Sequence, residues 1–112
     1  HPAQRDILAQ MLELNGFQVA VASDGLEGVE KVRNWNPDLI LMDLRMPRMD
    51  GFEAIKIIRS EKSTANIPII AISAWASAKH KERALEVGAN EHFTTPVDLN
   101  RLLTTINRYL KE

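Results

Sequence analysis

The sequence predicts a single α/β domain in which a parallel sheet is covered by helices on both faces. Three observations carry that prediction. Short apolar runs alternate with helix-period segments over units of about 20 residues, as parallel sheets with right-handed crossovers require. The run Leu39-Ile40-Leu41-Met42 is continuously apolar rather than alternating, the pattern of a strand covered on both sides. No repeat, linker or low-complexity tract interrupts residues 1–112, and a chain of that length sustains one core and not two.

The first element is a helix. Pro2 stands where a first helical turn tolerates proline, Ile7, Leu8, Met11 and Leu12 share one face, and Asn15-Gly16 stops it. Phe17–Ala22 is a short apolar, β-branched run bounded by Gly16 and Ser23-Asp24-Gly25, which predicts a strand. Asp24 with Glu27 three residues on resembles a capping box and opens a helix carrying Leu26, Val29 and Val32, closed by Asn34, Asn36 and Pro37. The apolar strand 39–42 ends abruptly at Asp43. Leu44–Asp50, with Pro47 and two arginines, is a loop, after which Asp50 and Glu53 cap a helix bearing Phe52, Ile55 and Ile58.

Ile67–Ile72 is the next strand. Across Ala78–Val87 the charges of Lys79, Lys81, Glu82, Arg83 and Glu86 leave a thin apolar stripe around Ala84 and Leu85, which predicts a lightly packed, easily moved helix that Gly88 terminates. Glu91–Phe93 is a short strand. Asp98 caps a last helix in which Leu99, Leu102, Leu103, Ile106 and Leu110 follow the helical period.

Composition removes several function classes. The 14 Lys and Arg nearly cancel the 15 Asp and Glu, so no basic face steers the chain to nucleic acid or to a membrane surface. The absence of Cys excludes a disulfide framework or thiolate zinc site and fits a reducing compartment, with cytoplasm the expectation. No apolar run approaches the 18 or so residues of a membrane span. His1, His80 and His92 are dispersed, so a transition-metal site is not expected. No nucleophile-elbow or glycine-rich phosphate motif marks a hydrolase or a dinucleotide enzyme. Trp35, near a helix end, reads as a partly buried packing residue.

In open parallel sheets ligands bind beyond the carboxyl ends of the strands, where Asp43, Ser73 and the Phe93–Pro96 loop all fall. Asp43 alone is more often a turn or cap residue than a nucleophile, Ser73 alone is usually a strand-end hydroxyl, and Asp50 is most simply a helix cap. The segment Pro37-Asp38-Leu39-Ile40-Leu41-Met42-Asp43-Leu44-Arg45-Met46-Pro47-Arg48-Met49-Asp50-Gly51 changes that weighting, because it resembles the phosphoacceptor segment of two-component receiver domains. The resemblance continues through Ile67–Ala74, Gly88–Phe93 and Thr95–Leu99 in the family's order, over essentially the whole chain.

The resemblance implies a flavodoxin-like, doubly wound sheet of order 2-1-3-4-5. It implies that Asp43 accepts a phosphoryl group from a phosphohistidine on a sensor histidine kinase or phosphotransfer protein, forming an acyl phosphate, with no enzymatic role beyond that self-catalysed transfer and its hydrolysis. Mg²⁺ would be held by Asp43, the backbone carbonyl of Arg45 and an acid at the end of the first strand. Ser73 would donate to a phosphoryl oxygen, His92 stands at the switch position, and Arg45 and Trp75 flank the site. The last two helices and last strand would meet a second copy or an output domain.

The chain departs from the family at three places. It starts at His1-Pro2, a pair that in the family follows the first strand and its acids, so that strand and those metal ligands are absent here. In the family's order this leaves the flanking strands roughly 9 to 10 Å apart, twice the strand spacing, and native upstream residues are expected to fill the gap. Thr95 stands where the family carries a lysine, and His92 where it has Tyr or Phe. Thr95 motivates the alternative of a phosphorylation-independent interaction module. A DNA-binding regulator would need another domain, because no recognition helix or basic face is visible.

Overall fold

Four helices begin where a short polar side chain closes the first turn. Asp24, Asp50, Ser77 and Asp98 each accept the backbone N–H three residues on, and behind them lie α2 (Gly25–Trp35), α3 (Gly51–Ser60), α4 (Ala78–Val87) and α5 (Leu99–Leu110). The helix α1 (Pro2–Leu14) opens the chain and ends at Gly16, whose φ of 92° suits glycine. Asn36, at φ 51°, ends α2, and Gly88, at φ 123°, ends α4. This is a computed structural model; it describes residues 2–22, 24–45, 49–74 and 77–111, with side chains from residue 7 onward.

Three strands, β1 (Ile40–Asp43), β2 (Ile69–Ser73) and β3 (Glu91–Thr94), form a parallel sheet in the order β1-β2-β3. Ile40 faces Ile69 and Asp43 faces Ile72, while Ala71 faces His92 and Ser73 faces Thr94. The alternation of the strands divides the core in two. On one face Ile40, Met42, Ile69 and Ala71 pack with Val29 of α2, Ile55 of α3 and Ala84 of α4. On the other, Ile70, Ile72 and Phe93 pack with Leu12 of α1 and with Leu102 and Ile106 of α5. Helices on both faces of a parallel sheet make the flavodoxin-like arrangement that the sequence predicts.

β2 is buried along its whole length, as the central strand must be. β1, expected to be covered on both sides, alternates buried and half-buried, because its outer flank opens on a cavity of about 420 Å³. Leu41 and Asp43 of β1, Val19 and Val21 opposite, and Thr95 border that cavity. The strand predicted at Phe17–Ala22 does not form: this run joins no ladder among the described residues. The cavity lies between it and β1, so its backbone has no neighbouring strand to pair with. It is held instead by the Lys31 ammonium, which donates to the Val21 carbonyl, and by Phe17 and Val19 packing on the α1–α5 side of the core.

Smaller differences have local causes. The predicted strand Ile67–Ile72 begins at Ile69, because the Ile67 N–H closes a turn onto Thr64 and Pro68 has no N–H to give. Leu26 lies 42 % exposed, outside the apolar stripe of α2, and Trp35 is 44 % exposed at the mouth of the cavity rather than packed. The thin stripe of α4 is as predicted, with Ala84 its one buried residue.

Candidate functional site

The site is assembled by strand ends. β1 stops at Asp43, and the next N–H, that of Leu44, donates to the Ile72 carbonyl at 3.0 Å, so the ladder holds the carboxylate beside the end of β2. Asp43 is half-buried, and its Oδ1 accepts from the Arg45 N–H at 2.9 Å, which turns the chain sharply and fixes one side of the carboxylate. Leu44 between them is fully buried and anchors the turn.

Gly51, the first residue of α3, lies under this turn. A Cβ there would sit 2.4 Å from the Asp43 carbonyl oxygen and 2.6 Å from the Leu44 Cα. Only glycine lets the helix start this close to the acid's own peptide. Gly51 closes the acceptor-like segment, yet its position in the sequence alone assigns it no chemistry. Its role shows only when the two segments are seen in contact.

Ser73, the last residue of β2, is 2 % exposed, and its carbonyl accepts from the Thr95 N–H at 2.9 Å. This extends the β2–β3 ladder and delivers half-buried Thr95 to the border of the cavity that Asp43 also borders. The Ser73 Oγ lies 3.0 Å from Nε2 of His92, on the α4 side of the sheet. Burial, then the positive charges of Lys81 and His80 on α4, lower the His92 pKa below its ordinary 6.5. A histidine held neutral in this way adds stability that is present above pH 6.5 and is lost as pH falls through its lowered pKa. The His92→Phe variant should therefore lose less stability than the parent between pH 7 and pH 5, a difference that thermal melts at the two pH values would reveal.

Arg45 is exposed, two residues beyond Asp43. Trp75 and the Met46–Arg48 part of the motif lie outside the described residues. Asp50 is the N-cap of α3, its Oδ1 accepting from the Glu53 N–H at 2.9 Å. The structure thus brings Asp43, Ser73 and Thr95 to one edge of the sheet and links His92 to Ser73.

The residues present do not make a complete magnesium site. Asp43 is the one carboxylate among the described residues bordering the cavity, and no group of three His, Cys, Asp or Glu side chains gathers among them. Mg²⁺ demands near-octahedral oxygen ligation, which one carboxylate and one backbone carbonyl do not supply. Among the described residues no helix is long and apolar enough to cross a membrane.

Comparison with known proteins agrees with this geometry. Residues 1–107 match the family model described as the response regulator receiver domain. The chain is 31 % identical over 104 residues to the polar-differentiation response regulator DivK of Brucella ovis, covering 93 % of this chain and 85 % of DivK. It is 32 % identical over 110 residues to RpaA of Synechocystis, a DNA-binding dual master transcriptional regulator; the match covers 98 % of this chain and spans 46 % of RpaA. Among solved structures, the receiver domain of the sensor histidine kinase PA1611 from Pseudomonas aeruginosa, with a magnesium ion coordinated in its active-site cleft, superposes with a TM-score of 0.91 at 30 % identity, covering 98 % of this chain and 90 % of that one. The chemotaxis protein CheY4 of Vibrio cholerae superposes at 0.88 with 30 % identity, covering 96 % and 90 %. With that match over residues 1–107 and a flavodoxin-like parallel sheet shared with these structures, this chain belongs to the response regulator receiver domains of two-component signalling.

Proposed function

We propose that Asp43 is the phosphoacceptor, that it takes a phosphoryl group from the phosphohistidine of a kinase or phosphotransfer protein, and that the acyl phosphate changes which partner the α4–β3–α5 side engages. The observation that supports this reading most is the placement of Asp43. A carboxylate fixed on one side by the Arg45 N–H and half-buried at a strand end keeps its other oxygen for in-line attack on phosphorus. Ser73 is the hydroxyl that would meet a phosphoryl oxygen, and the lightly packed α4 is the element such a contact would move. The solved magnesium-bound relative supports a magnesium-assisted reaction at family level. The charge balance and the family's signalling role fit a cytoplasmic protein without enzymatic turnover of its own.

Partner binding tests the reading. A phosphodonor such as acetyl phosphate should change the affinity of the full-length protein for its output partner, and Asp43→Asn should remove the change. Binding that ignores both would instead support the phosphorylation-independent module.

Thr95 makes a second prediction. A lysine there would bring an ammonium group to the cavity edge near Asp43, and one such charge in a partly buried site is worth about a tenfold gain in transfer or more. Thr95→Lys should therefore raise the phosphorylated fraction at a fixed acetyl phosphate concentration. An unchanged or lower fraction would show that Thr95 is not at the anion.

A further inference from the structure

We propose that His92 is a positioning residue for Ser73, its protonation state deciding whether the serine's single hydroxyl proton is committed to the imidazole or presented to an anion at the end of β1. The inference rests on the reading of Asp43 as the anion's site and adds a regulation of that site.

The geometry is that of a matched pair. Ser73 Oγ and His92 Nε2 are 3.0 Å apart, and the register of Ala71 with His92 places ring and hydroxyl on the same face of the sheet. Ser73 as a whole is 2 % exposed, so bulk water competes little for its hydroxyl. A serine has one proton to donate. A neutral imidazole protonated on Nδ1 accepts at Nε2 and takes that proton out of use. An imidazolium carries N–H at both nitrogens, so Nε2 donates, the serine oxygen accepts, and the hydroxyl proton turns to another acceptor.

The surroundings favour the neutral ring. From α4, Lys81 and His80 act on it, and both lower its proton affinity, as does burial. On β2 its neighbours Ala71 and Ser73 are not acids or bases. Glu91 lies on the opposite face of β3, engaged by Arg108 and Tyr109 of α5. At pH 7 the ring is therefore neutral, and in the Nδ1-protonated tautomer that the proposal requires it takes the serine proton. A phosphoryl group arriving nearby adds negative charge and favours the imidazolium. With His92 protonated, the released serine proton can donate to a phosphoryl oxygen and slow loss of the group.

The test has two arms. Imidazole ¹⁵N shifts of the full chain between pH 8 and pH 5 should show His92 neutral with its proton on Nδ1 at neutral pH, and Ser73→Ala should perturb its Nε2 shift. A neutral ring protonated on Nε2 overturns the proposal whatever happens at Asp43. In the second arm the lifetime of the Asp43 acyl phosphate is followed over the same range. The parent should gain roughly fivefold, the worth of one hydrogen bond, on acidification through the His92 midpoint. His92→Phe should lack that gain. Equal profiles in parent and variant overturn the role of His92 while leaving the function standing. An Asp43 that takes no label overturns the function and this regulation with it.

Discussion

Replacing Gly51 by alanine should lower stability by about 3 kcal/mol, a fall in Tm of roughly 10 °C or more for a domain of this size. The added methyl would meet the Asp43 carbonyl oxygen at 2.4 Å and the Leu44 Cα at 2.6 Å, both backbone atoms that cannot rotate away. Relief requires either α3 or the β1 turn to shift. α3 carries Phe52, Ile55 and Ile58, all within 1 % of full burial, so it resists movement. The turn must then yield, and with it the carboxylate that the Arg45 N–H holds. Gly51→Ala should thus weaken phosphorylation as well as the fold, whereas Lys56→Ala, on the exposed side of the same helix, should do neither. Thermal melts check the first effect, and a fall smaller than a few degrees would show that the contact relaxes without cost.

Truncation of Arg59 should be nearly as damaging. Its guanidinium leaves the end of α3 and donates to the carbonyls of Gly88 at 2.9 Å, Ala65 at 3.0 Å and Ile67 at 2.7 Å, and to the Asn90 Oδ1 at 2.9 Å. Asn90 in turn pairs with both backbone groups of Ile69, its N–H donating to the Ile69 carbonyl and its Oδ1 accepting the Ile69 N–H. One side chain therefore ties the approaches to β2 and β3 together and sets their register. Burial lowers the Arg59 pKa, the sign of a charge drawn from water and compensated by these acceptors. Arg59→Ala strips several part-buried acceptors at once and should cost about 2 to 4 kcal/mol, read as a lower urea midpoint. Arg59→Lys should recover part of the loss only, because an ammonium group cannot reproduce the planar fork. The functional consequence follows from the register: a one-residue slip of β3 would turn His92 away from Ser73 to the α5 face. Full stability in Arg59→Ala would refute this account of the register.

Much of this was legible in the sequence, and the rest was hidden for identifiable reasons. Local signals spoke clearly where the determinant is local: the caps at Asp24, Asp50 and Asp98, the stop at Gly88 and the bare surface of α4 all lie within one or two turns of the residues they organise. The end of β1 at Asp43 was legible because an apolar run stops there. Phe17–Ala22 misled, because β-propensity reports a fit to a pleated surface and not the presence of a neighbour to pair with. The closeness of Gly51 to Asp43, the four acceptors of Arg59 and the bond between Ser73 and His92 join residues 6 to 31 positions apart, and no local pattern announces them. His92 and Thr95 were visible as departures from the family. The partner that His92 finds is a fact of the fold.

The central claim, that Asp43 is the acceptor, is tested most directly by intact-mass and peptide mapping of the full-length protein after incubation with acetyl phosphate and Mg²⁺. The account predicts one phosphoryl group, mapped to Asp43, absent from Asp43→Asn and lost on mild alkaline treatment as an acyl phosphate is. An unmodified chain, or a phosphoryl group that persists in Asp43→Asn, would contradict it.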